Sequence, residues 1–243
     1  AYQLSATQRD LTLTLQGTGH WQQGEWQTRI STGRIGIPLT GEWQLENSVE
    51  GRISGQGAEL QEHCWKQLDG AVCGHLTWHK NSGINTKATL RHLPLQWLQP
   101  WLPGNSAVTG QMDGDLKLEG RDDTLTGQLT LRSTGARFTV DTQAKKPQRV
   151  ILDETHLEIH LAQQQLQFAG NTEFADTGNA QVRFRWPLAE PDQAISGTLE
   201  LQLDRLDWLN PFIASVDELQ GRGNARIRLG GTSDHPALSG QVE

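Results

Sequence analysis

Over most of its length the chain alternates apolar and polar residues with a period of two, the spacing that sends successive side chains to opposite faces of a strand. Leu11-Thr12-Leu13-Thr14-Leu15, Trp26-Gln27-Thr28-Arg29-Ile30, Leu157-Glu158-Ile159-His160-Leu161, Val182-Arg183-Phe184-Arg185-Trp186 and Leu199-Glu200-Leu201-Gln202-Leu203 alternate strictly. Ile35/Ile37/Leu39, Trp43/Leu45, Leu76/Trp78, Leu129/Leu131, Phe138/Val140 and Leu166/Phe168 are shorter versions. Each run predicts a strand with one dry and one wet face. Thr18-Gly19, Gln23-Gly24, Thr40-Gly41, Ser54-Gly55, Ser82-Gly83, Thr134-Gly135, Thr177-Gly178 and Ser196-Gly197 punctuate these runs and predict turns, hence many short antiparallel strands. A parallel α/β sheet shows near-continuous apolar strands separated by long helices, and the pattern here is different. Rossmann and barrel enzymes are therefore disfavoured.

One-sided strands over so long a chain need a cover for every inner face. Two packed sheets supply one in a sandwich. A single long sheet curled on itself supplies another, and where its closure is incomplete it leaves an apolar trough able to hold an acyl chain.

Two segments match at a constant offset. Leu95-Gln96-Trp97-Leu98-Gln99-Pro100-Trp101-Leu102 answers Leu206-Asp207-Trp208-Leu209-Asn210-Pro211-Phe212-Ile213. Beyond them Gly110, Leu118 and Gly120 map onto Gly221, Leu229 and Gly231, and Leu125-Thr126-Gly127-Gln128-Leu129 answers Leu238-Ser239-Gly240-Gln241-Val242 after a two-residue insertion. Leu95/Leu98/Leu102 and Leu206/Leu209/Ile213 fall at i, i+3, i+7 and predict a short amphipathic helix, which Pro100 and Pro211 limit to about two turns. The strand that follows turns Met112, Leu116 and Leu118 one way and Asp113, Asp115 and Lys117 the other. Repetition at a long period marks a modular, elongated architecture. The expected divisions are a strand region 1–90 with a Cys64–Cys73 hairpin, a repeat unit 91–202, and the start of the next unit at 203–243.

A helix of the form Leu-x-x-Leu-x-Pro-hydrophobic, then alternating Gly-x-hydrophobic-x-Gly, closed by Pro-x-Leu-x-Gly, resembles the repeating unit of the TamB family within the AsmA-like group. The closing motif is clearest in Pro236-Ala237-Leu238-Ser239-Gly240, whereas the first copy has Asp123 to Gly127 without the proline. The resemblance covers roughly 91 to 131 and 203 to 243. It implies a periplasmic protein, anchored in the inner membrane by a segment absent here and reaching a TamA-like outer-membrane barrel. It also implies a long curved sheet, a β-taco, with a hydrophobic interior groove, linked to phospholipid passage and to outer-membrane protein assembly.

Composition narrows the partners. Acids outnumber bases 28 to 21 and the net charge is -7, which disfavours nucleic acid, whose binding rests on Lys and Arg displacing counterions. No stretch approaches the roughly 18 to 20 apolar residues of a membrane-spanning helix. The chain begins at Ala1 and stops at Glu243 in mid-strand pattern, so it reads as a piece of a longer protein.

Cys64 and Cys73 are the only cysteines, and Leu68-Asp69-Gly70 between them has hairpin-turn chemistry that brings them close. A disulfide closing a loop of about ten residues contributes roughly 2.5 to 3 kcal/mol and implies an oxidising compartment. Free thiols and a zinc site with His63 and His75 are the alternatives, and the latter lacks the usual Cys-x2-Cys or His-x3-His pairing.

Catalytic chemistry finds little support. His156 and His160 sit on the polar face of a strand about 13 Å apart, too far for a common metal, and His75 and His79 share the spacing. Asp122/Asp123 and Asp153/Glu154 read as turn residues without the apolar surroundings of a general acid. Phosphate-loop, dinucleotide and Gly-x-Ser-x-Gly motifs are missing, so neither an enzyme nor a cofactor is expected. Trp43, Trp78 and Trp186 run in phase with aliphatic residues and read as interior, which weakens a carbohydrate-stacking role. Lys145, Lys146 and Arg149 form one basic cluster in a segment read as a solvated loop.

The resulting expectation is an all-β, elongated, curled antiparallel sheet with short amphipathic helices and a passive groove for phospholipid acyl chains. Its lining is assigned to Leu11, Leu13 and Leu15, Trp43 and Leu45, Leu116 and Leu118, and Leu129, Leu131, Phe138 and Val140. The remainder comes from Leu157, Ile159 and Leu161, Val182, Phe184 and Trp186, Leu199, Leu201 and Leu203, and Ile227 and Leu229. The rival readings are a strand-pairing chaperone for outer-membrane β-barrel proteins and a carbohydrate-binding sandwich.

Overall fold

The computed structural model describes residues 1–102, 104–140, 148–175, 177–188, 193–206, 220–232 and 234–243. The all-β antiparallel class expected from the alternation is what forms: seventeen strands of one antiparallel sheet, with two short 3-10 segments as the only helix among the described residues. The chain divides into two compact units, Ala1–Leu93 with Asp113–Gln128, and Pro94–Met112 with Leu129–Glu243.

The first unit contains β1 (Tyr2–Gln8), β2 (Leu11–Gln22), β3 (Glu25–Ile37), β4 (Gly41–Leu45), β5 (Val49–Ser54), β6 (Gly57–Gln67), β7 (Gly70–His79) and β8 (Gly83–Pro94). Sequence neighbours pair, so the strands form a meander. The short strands β4 and β5 follow one another between β3 and β6, each pairing with part of both. Gln23 and Gly24 both have positive φ, 51° and 84°, which closes the β2–β3 hairpin in two residues as the sequence predicts.

In the second unit β9 (Ser106–Thr109) pairs with β11 (Thr126–Val140). A second meander follows: β12 (Gln148–Ala162), β13 (Gln165–Phe174), β14 (Gly178–Pro187), β15 (Ser196–Leu203), β16 (Gly223–Gly231) and β17 (Pro236–Val242). Leu95–Trp101 forms the predicted short helix, but as a 3-10 segment, closed by the Leu102 N–H donating to Gln99 O. Pro100 inside it has no N–H to give, which suits a short, tight segment. Leu95 packs with Val108 and Ala136, joined by Leu102, Met112, Phe138 and Leu152, while Leu98 turns outward. In the matching copy Leu206 is described, and the helix expected over the rest of 206–213 lies outside the described residues.

The internal repeat reappears in the backbone. Leu95 N–H donates to Gly110 O at 3.0 Å, and Leu206 N–H donates to Gly221 O at 3.1 Å. Gly110 and Gly221 have φ of 133° and 117°, and Gly120 and Gly231 have φ of 106° and 85°. The strand Gln111–Gly120, which we label β10, and β16 are thus each bounded by glycines that L side chains replace only with strain.

Three glycine pairs read as turns lie inside strands. Thr18-Gly19 is within β2, Thr134-Gly135 within β11, and Ser196-Gly197 opens β15. Asp153/Glu154 likewise lie in mid-strand, within β12. Thr18-Gly19 and Ser196-Gly197 pair in regular register, whereas at Asp153/Glu154 the physical reason is a bulge, which places two consecutive residues outward and shifts the parity of all that follow. Ser31 has no partner between the Gln16–Thr32 and Gly17–Ile30 pairs, so Ile30 and Gly33 both face inward. The same happens at Gln61-Glu62, between Leu60 and His63, and at Asp153-Glu154, between Leu152 and Thr155. On β11 the burial pattern changes phase across Thr134 and Gly135, where Gly135 has φ of 67°, so that Leu129, Leu131, Ala136, Phe138 and Val140 share a face.

Among the described residues ten apolar residues are buried, and none of the large side chains falls below 2% exposure.

Candidate functional site

The bulges and the register together build an apolar wall in each unit. In the second unit the ladder aligns Ile159, Phe168, Phe184, Gly197, Leu229 and Leu238 in one transverse row from β12 to β17. The next row is Leu157, Gly170, Val182, Leu199, Ile227 and Gly240, and the one after it Thr155, Thr172, Ala180, Leu201, Ala225 and Val242. Leu161, Leu166 and Trp186 continue the wall on one side; Leu152, Phe174, Gly178 and Leu203 continue it on the other. Every residue assigned to the lining on β12, β14, β15 and β16 falls in these rows.

Glycine sits opposite bulk along these rows. A methyl at Gly197 would come within 2.9 Å of Phe184 Cδ2, and one at Gly170 within 2.6 Å of Leu157 Cδ2. The large side chains lean over the glycines, which keeps the wall dense. Phe184 and Trp186 also touch, with ring centroids 5.6 Å apart.

In the first unit Leu13 faces Ile35, which faces Trp43, and Leu15 faces Gly33. Leu45 faces Trp65, then Val72 and Leu90. A cavity of about 380 Å³ opens on this face, lined by Leu4, Leu15, Trp26, Ile30, Ile53, Leu60 and Leu76 with Tyr2, Thr28, Gly51, Ala58 and Glu59. Of the residues assigned from sequence only Leu15 lines it. Trp26/Thr28/Ile30 and Leu76 stood in the alternating pattern, but nothing local joins them to Ile53 and Leu60, which reach them only through strand pairing. Leu11 is exposed at the end of the β1–β2 pairing. On β10, Leu116 and Leu118 are half-buried on the side of Met112, opposite Asp113, Asp115 and Lys117.

The tryptophans divide by what lies over them. Trp43 is 5% exposed, and its Nε1–H donates to Thr40 Oγ1 at 3.0 Å. Trp78 and Trp186, also read as interior, stand on the apolar face yet remain 46% and 37% exposed, because no second layer of described residues covers them. Trp21 is 69% exposed and meets Trp26 edge-on.

The opposite face carries the polar residues. Cys64 and Cys73 stand directly across the β6–β7 hairpin and are joined in a disulfide, which leaves no thiolate for the zinc alternative with His63 and His75. His156 and His160 share no metal; both turn toward Glu158 between them, with His156 Nε2 2.9 Å and His160 Nε2 3.7 Å from its carboxylate oxygens. The hydrogen bond from His156, opposed by desolvation and aided by His160, holds the Glu158 carboxyl below its ordinary value of 4.5. Among the described residues no group of His, Cys, Asp and Glu gathers as metal ligands. The basic cluster begins outside the described residues, and its Arg149 enters β12.

Among the described residues each unit thus presents an antiparallel sheet with one apolar and one polar face. The TamB N-terminal domain model matches residues 2–243, so the chain belongs to that family and with it to the proteins of the cell envelope. No solved structure matches it. No helix among the described residues is long and apolar enough to cross a membrane.

Proposed function

We propose that this chain is a passive carrier surface in the periplasm, on whose apolar wall the acyl chains of phospholipids rest as they pass between the inner and outer membranes. The register from β12 to β17 carries the reading. It aligns apolar residues and glycines in two unbroken rows, with a third that is apolar beyond Thr155 and Thr172, and leaves Leu199 and Ile227 open to a ligand. Each methylene taken from water gains about 0.8 kcal/mol, and a row of like side chains lets the chain slide without a deep trap. No covalent step and no cofactor is involved. The parent is anchored in the inner membrane by a segment outside this chain, and a TamA-like outer-membrane barrel is met by other parts of it.

Photoreactive residues at Leu199 and Leu201, compared with Glu200 and Gln202, test this in the full-length parent. Lipid adducts from the first pair alone support the reading, and Leu201→Asp should remove them. Equal adducts from both faces overturn it. The strand-pairing reading has one observation in its favour, the exposure of β17 along its whole length, and predicts protein adducts from Pro236–Val242 that are indifferent to charge on the wall.

A further inference from the structure

On the polar face of the second unit the charges are unevenly paired. Arg226 is held by Glu200 at 3.0 Å, and Glu158 is engaged by His156 and His160. Arg183, Arg185 and Arg228 make no ion pair or hydrogen bond among the described residues. The register nevertheless gathers these three. Arg183 and Arg185 alternate on β14, about 6.8 Å apart at 3.4 Å per residue, and Arg183, Thr198 and Arg228 form one transverse row over β14 to β16. Two strand spacings of about 4.8 Å separate Arg183 from Arg228, a gap that two guanidinium side chains close easily. They border an open depression of about 520 Å³, shared with His160, Gln167, Ser196 and Thr198 and with Phe168, Phe184, Gly197 and Leu229 of the first apolar row, and among the described residues no carboxylate lines it.

We propose that this depression binds a phosphate group. Three guanidinium forks, two from β14 and one from β16, suit a tetrahedral anion with several free oxygens, whereas a carboxylate is satisfied by one fork. The hydroxyls of Ser196 and Thr198 add donors at the floor. A bound anion also relieves the repulsion among three neighbouring cations. A nucleic-acid backbone fits poorly, since it needs a run of cations, and this chain has a net charge of -7. The ligand is therefore a single phosphate, either free or carried on a lipid headgroup. The site lies on the face opposite the apolar rows, so its failure leaves the carrier reading standing.

The test uses the 243-residue chain with inorganic phosphate, glycerophosphoglycerol, and vesicles of phosphatidylcholine with or without phosphatidylglycerol. Binding is read by calorimetry and by amide shifts on β14 to β16, with circular dichroism to verify each variant's fold. At least one phosphate probe binds, more weakly as salt rises. R183Q, R185Q and R228Q each weaken it roughly threefold to tenfold, and R226Q, whose guanidinium is already paired, by less than about twofold. Inorganic phosphate sufficing identifies a free-phosphate site; binding only of glycerophosphoglycerol and phosphatidylglycerol vesicles identifies a headgroup site. Absence of binding by every phosphate probe, or an R226Q loss as large as that of R183Q, overturns the proposal. So does a polyglutamate peptide that binds where phosphate probes do not.

Discussion

Phe184 on β14 stands directly across from Gly197 on β15, its ring over the hydrogen where any other residue would carry a side chain. The pairing ties composition to function. A glycine opposite a large apolar residue leaves room for that side chain to lean across the neighbouring strand, so Phe184 finds contacts within its own layer.

Gly197→Val should therefore destabilise the second unit by about 1 to 3 kcal/mol, because its branches meet both the Phe184 ring and the Arg183 carbonyl oxygen, 3.1 Å from the added Cβ. Gly230→Ala, with nothing within 4 Å, should change stability by less than about 0.5 kcal/mol. Urea unfolding of the two variants decides it. Equal costs would show that the ring is not packed on the glycine.

Cys64→Ala with Cys73→Ala should cost about 2 to 3 kcal/mol, the entropy returned to the unfolded chain when a loop of about ten residues is released. Thermal unfolding with and without a thiol reductant checks this. The double variant should be insensitive to reductant, and the native chain under reductant should melt close to the variant.

How much of this was readable beforehand differs between the face and the register. Which side chains share a face of β14 or β15 follows from period two alone, so Val182, Phe184, Trp186 and Leu199 to Leu203 needed no structure. The bulges were not readable, because two consecutive exposed residues such as Asp153 and Glu154 have the same local signature as a turn. Only pairing with Phe174 and Thr172 shows that the strand runs through. The cavity by Trp26 was invisible for a related reason. Its walls come from β1, β2, β3, β5, β6 and β7, and no local rule says which of their faces meet. The helix at Leu95 was legible as a helix, but a spacing of i, i+3 serves a 3-10 segment as well as an α-helix.

The Glu158 carboxyl should titrate below 4.5 when followed by NMR, and His156→Ala should move it back toward that value more than His160→Ala does. The sign follows from linkage. A carboxyl depressed in the folded state adds stability above its unfolded value, and that stability is lost as pH falls through the folded value. Because the carboxylate is open to solvent, which screens its interactions, the signal to read is its titration rather than a change in melting. A midpoint at or above 4.5 would mean that the histidines do not engage it in solution.

The bulges make the sharpest claim about chain registration. Ser31 is an extra residue: without it Ile30 and Gly33 still face inward, and Gly17, Gln16 and Leu15 keep their present partners. Its deletion should cost less than about 1 kcal/mol, the main loss being the Ser31 hydroxyl bond to Gln16 O. Arg34, three residues on, has no such freedom. Deleting it either slips the strand by one residue, which turns Ile35 and Ile37 away from Leu13 and Trp43, or uses up the extra residue and puts Thr32 in the place of Gly33, where a Cβ comes within 2.7 Å of the Trp65 ring. Removing two half-buried isoleucines from the apolar face costs on the order of 2 to 3 kcal/mol. Urea midpoints of the two deletions, with tryptophan fluorescence reporting on Trp43, separate the cases, and similar losses for both would show that the wall does not depend on where the extra residues sit.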